Sequence, residues 1–205
     1  MSFSPPPFWG EIKGFLADDE AAALAAAASA AAPRGPILEI GSYCGKSTVC
    51  IALAMPQDGH VLYALDHHRG SEEHQPGEFF HDPDLYDATA EQFDSFREFR
   101  RNLDRAGVND RVVPVVASSE QAARDWSTPL SMVFIDGGHS LDAALLDYRC
   151  WQGHLMRGGT LAIHDVFPDA HEGGQAPYAV YRLALESGLF RETGRVRSLA
   201  LLEKI

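Results

Sequence analysis

The stretch FIDGGHS, from Phe134 to Ser140, closes an apolar run with an acid, two glycines and a histidine. LAIHDVF, from Leu161 to Phe167, closes another with His164 and Asp165. Two carboxylates and an imidazole at neighbouring strand ends are the groups that hold a hard divalent cation and take a proton from a hydroxyl. LEIGSYCG brings Glu39 and a turn in which Gly41 and Gly45 let the backbone approach a ligand where a Cβ would collide. In LYALDHH the apolar run ends on Asp66, and an acid about 20 residues beyond a glycine turn is placed to accept both hydroxyls of a nucleoside ribose. Unpaired charges are costly to bury. So many ionisable groups at strand ends therefore mark a site rather than a core.

Two phosphate-binding readings of the glycine turn fail on spacing. GKST belongs to a P-loop only if a glycine stands at position 40, which is Ile40 here. The GxxxG spacing also lacks the phosphate-cradling glycine of a GxGxxG dinucleotide turn. A nucleoside ligand without a pyrophosphate fits better.

The elements that must position these groups alternate. Apolar runs at 36–40, 60–66, 111–117, 131–136, 158–165 and 196–205 read as strands. Between them lie helix-length segments, including alanine-rich 17–32, the stretch after the glycine turn to Met55, 118–126, 140–155 and 177–187. The segment 91–107 spaces Phe93, Phe96, Phe99 and Leu103 as an amphipathic helix does, and those rings are expected in the core. Strand and helix in alternation imply βαβ crossovers and a mostly parallel α/β sheet covered on both faces. The polar stretch 67–87 has no apolar period; it leaves the ribose-binding strand end and is expected to be a lid over the site.

The chain's 205 residues fit a single domain, 1–205, with 1–35 as an N-terminal helical extension. A net charge of -12 disfavours nucleic acid and anionic lipid as partners. Cys44, Cys50 and Cys150 lack metal-type spacing and are expected as reduced thiols. No signal-type segment and no membrane-length apolar run is present, so the expected location is cytoplasmic, with no membrane partner.

The motif Glu39-Ile-Gly41-Ser42-Tyr-Cys-Gly45 resembles the first motif of class I S-adenosylmethionine-dependent methyltransferases. With FIDGGHS and LAIHDVF, the chain from about Pro36 to Leu202 resembles the DGGH-bearing branch of these O-methyltransferases, related to the metal-dependent catechol type. The resemblance implies a Rossmann-like sheet of seven strands, the last antiparallel. It implies S-adenosylmethionine held by Glu39, Gly41, Ser42, Gly45, Asp66, Ser118 and Asp136, and a divalent cation, magnesium by type, on Asp136 and Asp165. His139 would be the base for the acceptor hydroxyl, where the catechol type has lysine; an imidazole with a pKa of about 6.5 is already partly neutral at pH 7. Val166 stands where the catechol type has a metal-binding asparagine, so a third ligand would come from His164, Glu72, Asp82 or water.

DHHRGSEEHQPG, DYRCW and IHDVFPD also resemble actinobacterial sugar O-methyltransferases. This implies a small-molecule or oligosaccharide acceptor, met by Arg69, Glu72, Glu73 and His74 from the lid and by Tyr178. Asp147 would orient His139 or lie on a helix surface, and a homodimer through the N-terminal helix is expected. A small aromatic acceptor, a metal-independent methyltransferase, a nicotinamide enzyme and a non-enzymatic metal- or nucleoside-binding module remain as alternatives.

Overall fold

The computed structural model describes residues 4–57, 59–71, 77 and 82–205. A short 3-10 turn, Trp9–Glu11, precedes helix α1, Asp18–Ala31. Strand β1, Ile37–Ile40, leads through the glycine turn into α2, Lys46–Ala54, and then to β2, Leu62–Leu65. A small hairpin of β3, Tyr86–Asp87, and β4, Gln92–Phe93, stands before α3, Phe96–Ala106. The chain continues as β5, Val112–Val115; α4, Ser119–Ala123; β6, Leu130–Ile135; α5, Leu141–Trp151; and β7, Leu155–Ile163. It ends with α6, Ala176–Glu186; β8, Phe190–Val196; and β9, Leu199–Lys204.

Seven strands form one sheet in the order β5-β2-β1-β6-β7-β9-β8. All neighbours are parallel up to β7, and β9 runs antiparallel to both β7 and β8. Successive side chains of a strand face opposite sides, so β1 buries Ile37 with α1 to α3 and Leu38 with α4 to α6. The N-terminal helix shares the first of these two cores. No helix among the described residues is long and apolar enough to cross a membrane.

The ladder continues one residue past the strand ends. The Gly41 amide donates to Leu65 O, Asp66 N to Val115 O, Asp136 N to Ile40 O and His164 N to Ile135 O, at 2.9 to 3.1 Å. These bonds set the glycine turn and the acids at 66 and 136 in one row along a single edge.

Three expected boundaries move. The helix expected from Glu91 starts at Phe96, where the Asp94 carboxylate accepts from Phe96 N at 2.9 Å. Phe93 leaves the helical stripe because it stacks on Tyr43, centroids 6.2 Å apart, and is buried with Cys44 and Leu85. The other three members pack as expected: Phe99 and Leu103 are buried and Phe96 lies against them, and burying such a side chain fully stabilises by about 1.5–3 kcal/mol. Helix α5 stops at Trp151 and β7 already begins at Leu155, opposite Leu130, with a register shift before Met132.

Candidate active site

The strand ends open into a cavity of about 840 Å³. From the β5 side to the β6 side its floor carries Ser118, Asp66, Gly41, Ser42, Asp136 and His139. Lys13, Phe15 and Leu16 of the N-terminal segment form part of the facing wall, and Lys13 Nζ binds the Asp82 carboxylate at 2.6 Å.

The glycine turn is built for close approach. Gly41 has φ +89°, and a Cβ there would lie 2.0 Å from Asp136 O. Gly45 has φ +88° and abuts the Phe99 ring, while Asn102 Nδ2 donates to Cys44 O at 2.9 Å. Asp66 braces the turn: one carboxylate oxygen accepts from Tyr43 N at 2.8 Å and the other from His68 N at 2.7 Å. Ser42 Oγ is buried and has no hydrogen-bond partner among the described residues.

Glu39, expected to touch the cofactor, stands behind the turn. It is fully buried and accepts from Thr48 Oγ1 at 2.5 Å. Burial pushes its carboxyl up to about 8, against the opposing Ser47 and Thr48 hydroxyls. The folded chain therefore keeps a proton that the unfolded chain, at an ordinary value of 4.5, gives up. Stability from this group is complete below that ordinary value and declines as pH rises towards 8. Thermal unfolding of Glu39→Gln across this window is expected to be flatter with pH than that of wild type; parallel curves would disprove the assignment.

Asp136, His139 and Asp165 meet at the far end, with one donor atom of each lying within 4.8 Å of the others. His139 Nε2 is 3.2 Å from Asp165 Oδ2. Asp165 has φ +56°, a left-handed conformation that aspartate and asparagine tolerate best after glycine.

His164 does not join this cluster, a correction to its expected role as a ligand. Its ring is 3% exposed, with Nδ1 at 3.0 Å from Asp136 Oδ1 and Nε2 at 3.2 Å from Glu20 Oε2. Burial alone would lower its pKa, but the facing Asp136 and Glu20 carboxylates outweigh burial and raise it, so both nitrogens carry protons. A doubly protonated ring has no lone pair for a metal. Glu20 responds in the opposite sense: burial would raise it, and the His164 and Ser198 hydrogen bonds bring it below the usual carboxylate range.

The remaining expected residues divide. Ser118 lines the cavity and also caps α4, its Oγ accepting from Gln121 N at 3.3 Å. Arg69 pairs with Asp94 at 3.0 Å beside the small hairpin. Tyr178 packs towards the core and stacks on Tyr181, centroids 6.0 Å apart; its neighbour Pro177 is the one that lines the cavity. Glu72, Glu73 and His74 lie outside the described residues. Asp147 turns to Ser119 and not to His139: Ser119 Oγ donates to its Oδ1 at 2.5 Å, and Trp151 Nε1 donates to Ser119 Oγ at 3.0 Å. Burial raises Asp147 to about 6, and its Oδ2 fills the place of a Gly137 Cβ. A side chain at Gly137 would have to displace the Asp147 carboxylate, a contact the sequence alone gives no sign of.

A parallel sheet whose order reverses beside β1, with a nucleoside-sized cavity at that point, defines a Rossmann-like methyltransferase fold. A family model described as a methyltransferase domain matches residues 38–166, more than half of the chain. The chain belongs to this methyltransferase-domain family. Among solved structures it is similar to an O-methyltransferase from Bacillus cereus in complex with SAH, with TM-score 0.64 and 18% identity over 95% of this chain and 86% of that one. It is also similar to the O-methyltransferase TomG from Streptomyces achromogenes in complex with SAM, with TM-score 0.63 and 17% identity over 93% and 81%. An rRNA methylase from Streptococcus thermophilus matches with TM-score 0.58 and 13% identity over 90% and 95%. At these identities the likeness is one of fold.

Proposed function

We propose that the protein transfers a methyl group from S-adenosylmethionine to a hydroxyl of a polar acceptor, with a divalent cation of magnesium type at Asp136 and Asp165. The observation that carries this reading is the meeting of Asp136, His139 and Asp165 at one end of the cavity that has Asp66 and the glycine turn at its floor.

The cavity suits the cofactor. Each Asp66 oxygen accepts one backbone N–H, and a carboxylate offers about four lone-pair positions, so acceptor capacity remains for ribose hydroxyls. Gly41 lets the turn lie directly against the Asp136 backbone, and beside it Ser42 Oγ is buried and has no partner among the described residues. The row of strand ends sets the direction: Ser118 and Asp66 take the nucleoside, and the reacting end lies towards Asp136 and His139. When bound, S-adenosylmethionine supplies an electrophilic methyl group on a sulfonium sulfur.

Asp136 and Asp165 suit a hard cation that keeps several waters. When bound, such an ion lowers the pKa of an acceptor hydroxyl. His139 receives the hydroxyl proton on its ring, and the Asp165 carboxylate beside Nε2 stabilises the ring as it gains charge. Holding the nucleophile in line with the methyl group supplies most of the remaining catalysis.

His139→Ala is expected to lower turnover by about 10²–10⁴, the usual worth of a general base, while leaving Mn²⁺ and S-adenosylmethionine affinity in place. Loss of ion affinity in this variant would make His139 a ligand and not a base. For the acceptor, the polar composition of 67–87 and the carboxylate of Glu172 on the cavity lining support a polyhydroxylated molecule such as a sugar or oligosaccharide. A second reading, an aromatic or catechol-like acceptor, is favoured by the apolar faces of Phe15, Phe167 and Pro177 on the same cavity. Calorimetry of S-adenosylmethionine with and without magnesium, on wild type and Asp136→Ala, tests the core of the reading. A methyl-labelled acceptor screen separates sugars from phenols. Absence of cofactor binding in wild type would refute the proposal.

A further inference from the structure

We propose that Glu20, in the first turn of α1, is a positioning residue for the ion site: through His164 it fixes the carboxylate of Asp136. This inference rests on the proposed ion site at Asp136 and Asp165.

Glu20 is 3% exposed and uses both oxygens. Oε1 accepts from Ser198 N at 3.0 Å and Ser198 Oγ at 2.7 Å; Oε2 accepts from Ala17 N at 3.2 Å and faces His164 Nε2 at 3.2 Å. His164, equally buried, presents its other nitrogen to Asp136 Oδ1 at 3.0 Å. The result is an unbroken line of carboxylate, imidazole and carboxylate from the N-terminal helix to the cavity floor. Glu20 also caps α1 by accepting from Ala17 N, a role that needs neither His164 nor Asp136. Burial does not favour it either, since apolar residues of similar volume often pack at no loss where a buried ion pair stood. The line does restrict Asp136: the His164 contact to Oδ1 limits rotation of the carboxylate that meets His139 and Asp165 in the cluster. Partners that orient a metal-binding carboxylate in this way typically govern 10–100-fold in ion affinity.

The test is Mn²⁺ binding, read by electron paramagnetic resonance and calorimetry, alongside S-adenosylmethionine binding. Glu20→Ala is expected to weaken Mn²⁺ by about 10–100-fold and leave cofactor affinity unchanged. Glu20→Gln keeps one oxygen for His164 but sets its NH2 against the Ser198 amide, and is expected to recover part of that affinity. Asp19→Ala removes the neighbouring Arg197 ion pair on the same helix and is expected to change neither affinity. Should Glu20→Ala fail to fold, His164→Leu breaks the same line and is expected to show the same loss. Wild-type Mn²⁺ affinity in the variants that break the line, or equal weakening by Asp19→Ala, would overturn the positioning role alone. Absence of Mn²⁺ binding in wild type would overturn the ion site and this role together.

Discussion

Asp66→Ala is expected to reduce S-adenosylmethionine affinity by a hundredfold or more, from two lost hydrogen bonds to a charged acceptor at about 1.5–3 kcal/mol each. The loss has a second source. Asp66 holds the amides of Tyr43 and His68, both residues with positive φ, at 44° and 58°. Without the carboxylate those amides lose their acceptor and the turn that carries Gly41 loosens. Asp66→Asn is expected to be nearly as damaging, because an amide has one oxygen for two backbone donors and would set its NH2 against the other. Calorimetric titration with the cofactor checks both variants; near-normal affinity in Asp66→Asn would mean that the ribose is held elsewhere.

Asp165→Asn is expected to abolish measurable magnesium binding and to lower methyl transfer by about a thousandfold, corresponding to the several kcal/mol a Lewis acid contributes. Asparagine is the informative substitution because Asp165 occupies the left-handed region at φ +56°, where alanine would add backbone strain. The side chain keeps its size and loses only its charge. Cofactor affinity should stay close to wild type, since Asp165 lies at the end of the row away from Asp66. A variant that still turns over at the normal rate would show that the ion is dispensable and leave His139 to act alone.

The parts of the site legible in the sequence were those whose signal is local. Asp66, Asp136 and Asp165 each close an apolar run, and such runs in parallel strands end at one edge; Gly41 and Gly45 mark the turn by residue type alone. His164 misled because it adjoins Asp165. The amide of His164 still belongs to the ladder, and its ring is held between Glu20 of α1 and Asp136, so each of its nitrogens already faces a carboxylate of the protein. Glu20 gave no signal, since its partner lies 144 residues away and an acid in the first turn of an alanine-rich helix already has an ordinary explanation. Phe93 kept the helical spacing of its neighbours, yet contacts with Tyr43 drew it into a hairpin. Strand β8, FRETGRV, was hidden by its place at the sheet edge, where exposed Arg191, Glu192 and Thr193 interrupt the apolar run.

The bond between Glu20 and Ser198 joins residues 178 apart, and β9 is threaded between β7 and β8. During synthesis the ribosome releases the glycine turn and every acid of the cavity well before the residue that completes the support of Glu20. Until β9 arrives, β7 offers an open edge on which other chains can pair. The sheet gains its antiparallel strands and the N-terminal helix is fastened in the same event, so a nascent chain acquires its working geometry only once β9 has left the ribosome.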